Sequence, residues 1–269
     1  MNVVISDLDG TLLDQSTYSF DDAVPALTLL KRRHIPLVYC SSKTRREIEY
    51  WRARTGNEHP FIAENGGAVF IPSAYFEFSV QGRTHEDYTI VQLGDPYAAL
   101  VECLKKAASD TRCEVRGFHD MTAAEIANCA GMSLNSAALA KSREFDEPFM
   151  VLDTRRTGEL LAAIERQGKR WTHGGRFYHV IGNNDKAVAV RALLDLYRIS
   201  APDVRSIGIG DGVNDAPFLK LVDVPILIRT PWLDELQAAV PRGTPTMLAG
   251  PRGWNNAMTQ LFGSTLTNP

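Results

Sequence analysis

Two short apolar runs, about two hundred residues apart, both end in acid. Val3 to Ser6 leads into Asp7-Leu8-Asp9-Gly10-Thr11, and Val204 to Ile209 leads into Gly210-Asp211-Gly212-Val213-Asn214-Asp215. Runs without polar alternation suit strands buried on both faces of a parallel sheet. In a doubly wound α/β sheet, the loops that follow such strands meet at the carboxyl edge, where ligands bind. Carboxylates gathered there repel one another unless a cation neutralises them. An all-oxygen set without Cys or His fits Mg²⁺ best. The spacing excludes an EF-hand, which needs Gly at its sixth position. Gly10 comes too early in the first cluster, and the sixth residue of the second is Ala216.

The intervening chain keeps the α/β rhythm. A helix is expected over Asp22 to His34, with Asp21 or Asp22 as N-cap and Pro25 in its first turn. Strands Leu37 to Cys40 and Phe61 to Ala63 follow, separated by a helix from Arg45 to Arg54, and Ala68 to Ile71 returns as a hairpin arm. After Gly82 the texture changes. Strand-like Tyr88 to Leu93, Cys113 to Phe118, Phe149 to Leu152, Lys169 to Thr172 and Phe177 to Ile181 alternate with helical segments, as in an α+β module inserted into the first sheet. Lys186 to Tyr197 reads as a helix capped by Asn183-Asn184-Asp185, and Ser264 to Pro269 as a frayed end.

Composition narrows the function. The 29 basic and 32 acidic residues leave a net charge of -3, which argues against a dedicated nucleic-acid or anionic-membrane binder. With 44% apolar and 23% charged residues the 269-residue chain can bury a sizeable core, and two domains are expected. Met-Asn-Val-Val-Ile-Ser-Asp reads as a strand rather than a signal peptide, and Ile126 to Ala140, with its Asn and Ser residues, is short for a bilayer. The four cysteines, Cys40, Cys103, Cys113 and Cys129, have no CxxC spacing and read as free thiols in a reducing cytoplasm. No GxxxxGK[ST] loop or GxGxxG fingerprint is present, which disfavours NTP and dinucleotide chemistry. A strand-end hydroxyl, Ser41 or Ser42, and a helix-start lysine, Lys186, are the company a phosphoryl group needs.

Asp7-Leu8-Asp9-Gly10-Thr11-Leu12, Ser41, Lys186 and Gly210-Asp211-Gly212-Val213-Asn214-Asp215 together resemble the four ordered motifs of the haloacid dehalogenase superfamily of phosphatases. The resemblance implies a Rossmann-like core in two parts, residues 1–83 and 178–269, around a substrate-selecting cap of the C2 type, residues 84–177, with hinges near Gly82 and Gly182. Cys40-Ser41-Ser42-Lys43-Thr44, Glu64-Asn65-Gly66-Gly67, Arg143-Glu144-Phe145-Asp146-Glu147-Pro148-Phe149 and Gly250-Pro251-Arg252-Gly253-Trp254 are similar to the mannosyl-3-phosphoglycerate phosphatase subfamily. Many superfamily members carry Thr where this chain has Ser41, and the hydroxyl donor is kept.

By this resemblance Asp7 is the nucleophile and Asp9 the general acid and base. Mg²⁺ is held by Asp7, the Asp9 main-chain carbonyl and Asp211, with Asp215 either a direct ligand or an outer partner. Ser41 and Lys186 bind phosphate; Lys43, Asn65, Arg143 and Arg176 are candidates for contacts to a phosphorylated sugar-glycerate. Glu147-Pro148 is expected in a loop before a cap strand, His173 and His179 as core or surface histidines, and the four tryptophans as packing residues. Glucosyl-3-phosphoglycerate, another sugar phosphate, and a phosphomutase reaction are the alternatives.

Overall fold

A computed structural model of the chain describes residues 1–174 and 177–263. In chain order its first half carries β1 (Asn2–Ser6), α1 (Val24–Arg32), β2 (Leu37–Cys40), α2 (Arg45–Thr55), β3 (Phe61–Ala63), β4 (Ala68–Pro72), β5 (Arg83–His85), β6 (Tyr88–Gln92), α3 (Tyr97–Thr111), β7 (Val115–Gly117), α4 (Ala123–Ala130) and α5 (Leu134–Ala140). Then come β8 (Asp146–Val151), α6 (Thr157–Arg166), β9 (Arg170–Gly174), β10 (Phe177–Ile181), α7 (Lys186–Ser200), β11 (Arg205–Gly210), α8 (Ala216–Leu221), β12 (Val224–Leu227), α9 (Leu233–Ala239), β13 (Thr244–Pro245) and α10 (Gly250–Phe262).

A nine-stranded sheet runs β13-β12-β11-β1-β2-β3-β4-β6-β5. Its strands are parallel from β13 to β3, and β4, β6 and β5 continue antiparallel. The apolar runs Val3–Ile5 and Ile207–Ile209 lie side by side at its centre, with Val4 opposite Ile207. Both faces of the sheet are covered, as uninterrupted apolar strands require. Leu8, Leu12, Leu30 and Trp254 pack with Val4 and Ile207 on one face. Val190, Leu194, Phe218 and Leu236 pack with Val3 and Ile5 on the other. Trp254 is fully buried, and its indole N–H donates to Ser6 Oγ at 3.0 Å, which satisfies the polar end of a large apolar ring.

The second sheet is four-stranded and antiparallel, in the order β7-β8-β10-β9. Phe149 and Val180 pack against α3 and α6 through Leu100, Leu104 and Ile164. Met150 and Phe177 lie with Phe118, Ile126 and Ala137, beneath α4 and α5. Strand alternation therefore gives the sheet apolar contacts on both faces.

Sheet membership moves the expected boundaries. The strand read over Tyr88 to Leu93 as part of the inserted module is β6, which pairs with β4 in the large sheet and carries β5 on its outer edge, and Phe177–Ile181 lies wholly in the small one. The chain passes between the sheets near residues 93–96 and 182–185, so Gly94, not Gly82, accompanies Gly182 at the crossings. Strand β8 starts at Asp146 and includes Glu147-Pro148, because pairing with Val180 and His179 outweighs their poor strand propensity. Helix α1 opens on a 3-10 turn, Asp21–Ala23, with no side-chain cap from either Asp. Among the described residues no disulfide joins the four cysteines, and no helix is long and apolar enough to cross a membrane.

Candidate active site

Asp7 is the first residue past β1, and its backbone N–H continues the parallel ladder by donating to Ile209 O at 3.0 Å. That bond sets the first acidic loop directly beside the second. Gly10 sits at φ 72°, and a Cβ there would lie 2.5 Å from Asp211 Oδ2, so only glycine lets the loop turn this close to the neighbouring carboxylate. Thr11 Oγ1 donates to Asp211 Oδ1 at 3.1 Å. Asp7, Asp211 and Asp215 each bring a carboxylate oxygen within 4.8 Å of the others.

Lys186, 2% exposed, opens α7 behind its N-cap Asp185 and extends its ammonium into this group. Nζ donates to Asp7 Oδ1 at 2.7 Å and to Asp215 Oδ1 at 2.6 Å. Asp215 spends its second oxygen on the backbone N–H groups of Asp211 and Gly212, both at 3.1 Å, and thereby shapes the loop that carries Asp211.

One ammonium cannot neutralise three carboxylates. Burial pushes the Asp7 carboxyl up to about 7, and the charges of Asp215 and Asp9 add to the rise against the opposing pull of Lys186. Burial, with Asp7 and Asp215 nearby, holds Asp211 well above the usual carboxylate range. Burial alone would lower the Lys186 ammonium, but Asp215 and Asp7 outweigh it and raise it above the ordinary lysine value. A compact, oxygen-only, charge-deficient cluster of this kind fits a hard divalent cation such as Mg²⁺.

Asp9 turns away from the cluster. Lys43 Nζ lies 2.8 Å from Asp9 Oδ2 and 3.7 Å from Glu47, while Asp9 Oδ1 is buried without a hydrogen-bond partner among the described residues. Lys43 follows β2 in the same loop as the buried Ser41, whose Oγ accepts from the Lys43 N–H at 3.3 Å. Thr44 ends that loop as the N-cap of α2, in a capping box with Glu47.

Two of the other predicted contacts bond within the chain. Asn65 donates from Nδ2 to Asp146 Oδ2 at 2.7 Å, and Arg143 donates to Ser42 O and Ala140 O, each at 2.8 Å, with its guanidinium over Phe118. Both join the small-sheet module to the large sheet's loops. Arg176 lies outside the described residues. His179 is buried and paired with Asp146 at 2.7 Å, and His173 is exposed against the Tyr178 ring. Trp51 packs edge-on against Phe20 and Tyr50, whereas Trp171 and Trp232 are exposed. Sequence reasoning missed Glu64 and Asp146. The available signal was an acid set directly against a short apolar strand, Phe61-Ile62-Ala63-Glu64, and another inside Phe145-Asp146-Glu147-Pro148-Phe149.

Residues 4–81 match a family model described as haloacid dehalogenase-like hydrolase. The chain is 40% identical over 273 residues to a glucosyl-3-phosphoglycerate/mannosyl-3-phosphoglycerate phosphatase of Methanococcoides burtonii, covering 97% of both chains. It is 38% identical over 230 residues to a mannosyl-3-phosphoglycerate phosphatase of Pyrococcus furiosus, covering 85% of this chain and 91% of the other. A solved structure from Thermoplasma acidophilum superposes with a TM-score of 0.70 at 17% identity, covering 98% of each chain, and shares the fold. Kinship that runs through both sheets, with Asp7 inside the matched segment, means that this chain belongs to the haloacid dehalogenase-like hydrolases and is a phosphoric monoester hydrolase.

Proposed function

We propose that the chain is a Mg²⁺-dependent phosphatase that converts 2-O-(α-mannosyl)-3-phosphoglycerate to mannosylglycerate and phosphate, as a cytoplasmic step in making a compatible solute. The near-full-length kinship to a phosphatase named for the glucosyl and mannosyl esters carries the substrate assignment, and it makes glucosyl-3-phosphoglycerate the second substrate. The buried Asp7–Lys186 pair supports the chemistry.

Asp7 attacks phosphorus in line. A bond forms between its carboxylate oxygen and phosphorus while the bond from phosphorus to the glycerate oxygen breaks, so one hard displacement becomes two easier ones. Asp9 gives its proton to the departing glycerate oxygen, then takes a proton from the water that releases phosphate from Asp7, assistance typically worth about 10²- to 10⁴-fold. Lys186 fixes Asp7 Oδ1 and opposes the phosphate charge, and the Ser41 hydroxyl donates to a phosphoryl oxygen. Asp7, the Asp9 carbonyl and Asp211 would hold the Mg²⁺, with Asp215 shaping the loop beneath them. When bound, the ion supplies the positive charge that this carboxylate group lacks and stabilises charge on the transferring phosphoryl group. The small-sheet module selects the sugar-glycerate.

Phosphate release with Mg²⁺ from the mannosyl and glucosyl esters, measured beside a panel of hexose phosphates, tests the assignment. The two glycerate esters are expected to exceed the panel in kcat/KM by at least about tenfold. Conversion of a hexose phosphate to its isomer without free phosphate would identify a phosphomutase instead.

A further inference from the structure

Glu64 and Asn65 are consecutive non-glycine residues in the left-handed region, at φ 51° and 55°, and Gly66 follows at φ 87°. All three are buried. Such a conformation costs roughly 1 kcal/mol or more for a residue with a Cβ, and it persists where the surroundings over-determine it. Here they do so from two directions.

The backbone of the turn holds the catalytic loops. The Glu64 N–H donates to Lys43 O at 3.0 Å and the Asn65 N–H to Ser41 O at 3.1 Å, so the loop bearing the proposed phosphate-binding hydroxyl hangs from this turn. Asn184 Nδ2 donates to Asn65 O at 3.3 Å, and a Cβ on Gly66 would lie 2.2 Å from Asp185 O. The turn is therefore pressed against the start of α7, which carries Lys186. Its side chains point the other way, into the small-sheet module. The Glu64 carboxyl oxygens accept from the N–H groups of Glu144 and Phe145, the latter at 2.8 Å. Asn65 Nδ2 donates to Asp146 Oδ2 at 2.7 Å, and the other Asp146 oxygen is fixed from within its own sheet by His179 Nδ1, also at 2.7 Å.

We propose that Asn65 is a positioning residue, whose amide couples the small-sheet module to the Ser41 loop so that a substrate seated against the module meets Asp7 in register. The proposal rests on the phosphatase reading above and adds to it how the two parts of the chain are kept aligned. Glu64 holds backbone N–H groups. The Asn65–Asp146 bond joins two side chains, so its polarity can be reversed by mutation.

Asn65→Asp sets two carboxylates against each other. In N65D/D146N the donor and acceptor exchange places: the carboxylate at position 65 accepts from the amide at position 146, whose oxygen still serves His179. For N65D, kcat/KM for 2-O-(α-mannosyl)-3-phosphoglycerate is expected to fall by about ten- to a hundredfold, and at least about tenfold more than for p-nitrophenyl phosphate, which offers the module little to hold. The double variant is expected to recover the wild-type ratio of the two within about threefold. In substrate-free protein, hydrogen exchange over residues 41–44 and 139–146 is expected to quicken together in N65D and slow again in the double variant. An equal proportional loss on both substrates overturns the proposal, as does a double variant as impaired as N65D. If the wild-type protein releases no phosphate from either glycerate ester, the substrate assignment fails, and exchange still decides the coupling: protection that does not return in N65D/D146N overturns it.

Discussion

Lys186 spans 179 positions of sequence to place its ammonium 2.7 Å from the Asp7 carboxylate, and its remaining charge is shared with Asp215. Methionine fills a similar volume without the charge. In Lys186→Met two buried carboxylates face each other unopposed, a change expected to cost about 3 to 5 kcal/mol of stability. Phosphate release is expected to fall by at least about a hundredfold. Denaturant unfolding and turnover on one preparation check both, and near-normal turnover in a folded variant would remove Lys186 from the reaction.

Asp211 sits between Asp7 and Asp215 with too little positive charge around it. Asp211→Asn keeps the oxygen that accepts from Thr11 and deletes one of the repelling charges. The metal-free variant is expected to be about 1 kcal/mol more stable than the wild type, because relief of repulsion outweighs the lost carboxylate. The rise in melting temperature that added Mg²⁺ gives the wild-type protein should shrink or vanish, since binding to the native state stabilises it by mass action. A chelator that leaves wild-type turnover unchanged would contradict a metal at this site.

The two acids of the first loop are distinguishable. Asp7→Asn is expected to abolish phosphate release and labelling of the protein by phosphate, with the fold retained. Asp9→Asn is expected to lower turnover by about 10²- to 10⁴-fold, with the Mg²⁺ shift in melting temperature kept. Labelling that survives in Asp7→Asn would place the nucleophile elsewhere.

The centre of the fold and its acidic edge were legible because each rests on a local pattern. Val3–Ile5 and Ile207–Ile209 are apolar throughout, as strands covered on both faces must be, and their shared direction puts Asp7 and Asp211 at one edge. The ribbon at Arg83–His85 was not legible. Its residues are polar and mostly exposed, and its place depends on pairing with β6, itself held by β4. The contacts that Asn65 and Arg143 make within the chain were hidden for a different reason. An amide or a guanidinium in a sequence marks a group that needs a partner, and only the folded chain shows which of its own segments supplies one, here Asp146 and the Ser42 carbonyl.

Glu64 makes stability respond to pH in a calculable direction. Burial pushes its carboxyl up from 4.5 to about 8; nearby Asp146 adds to the rise, and Arg143 with the N–H groups of Phe145 and Glu144 opposes it without prevailing. Between those values the folded protein retains a proton that the unfolded chain has released. The native state binds more protons in that window, so stability is greatest toward its acid end and declines as pH climbs to about 8. Glu64→Gln has nearly the same shape and cannot ionise. Its unfolding free energy is expected to vary less with pH between 5 and 8 than that of the wild type, by roughly a few kcal/mol across the window. Unfolding at several pH values in both proteins reads the difference in slope, and parallel curves would mean that Glu64 is already ionised in the folded protein throughout that range.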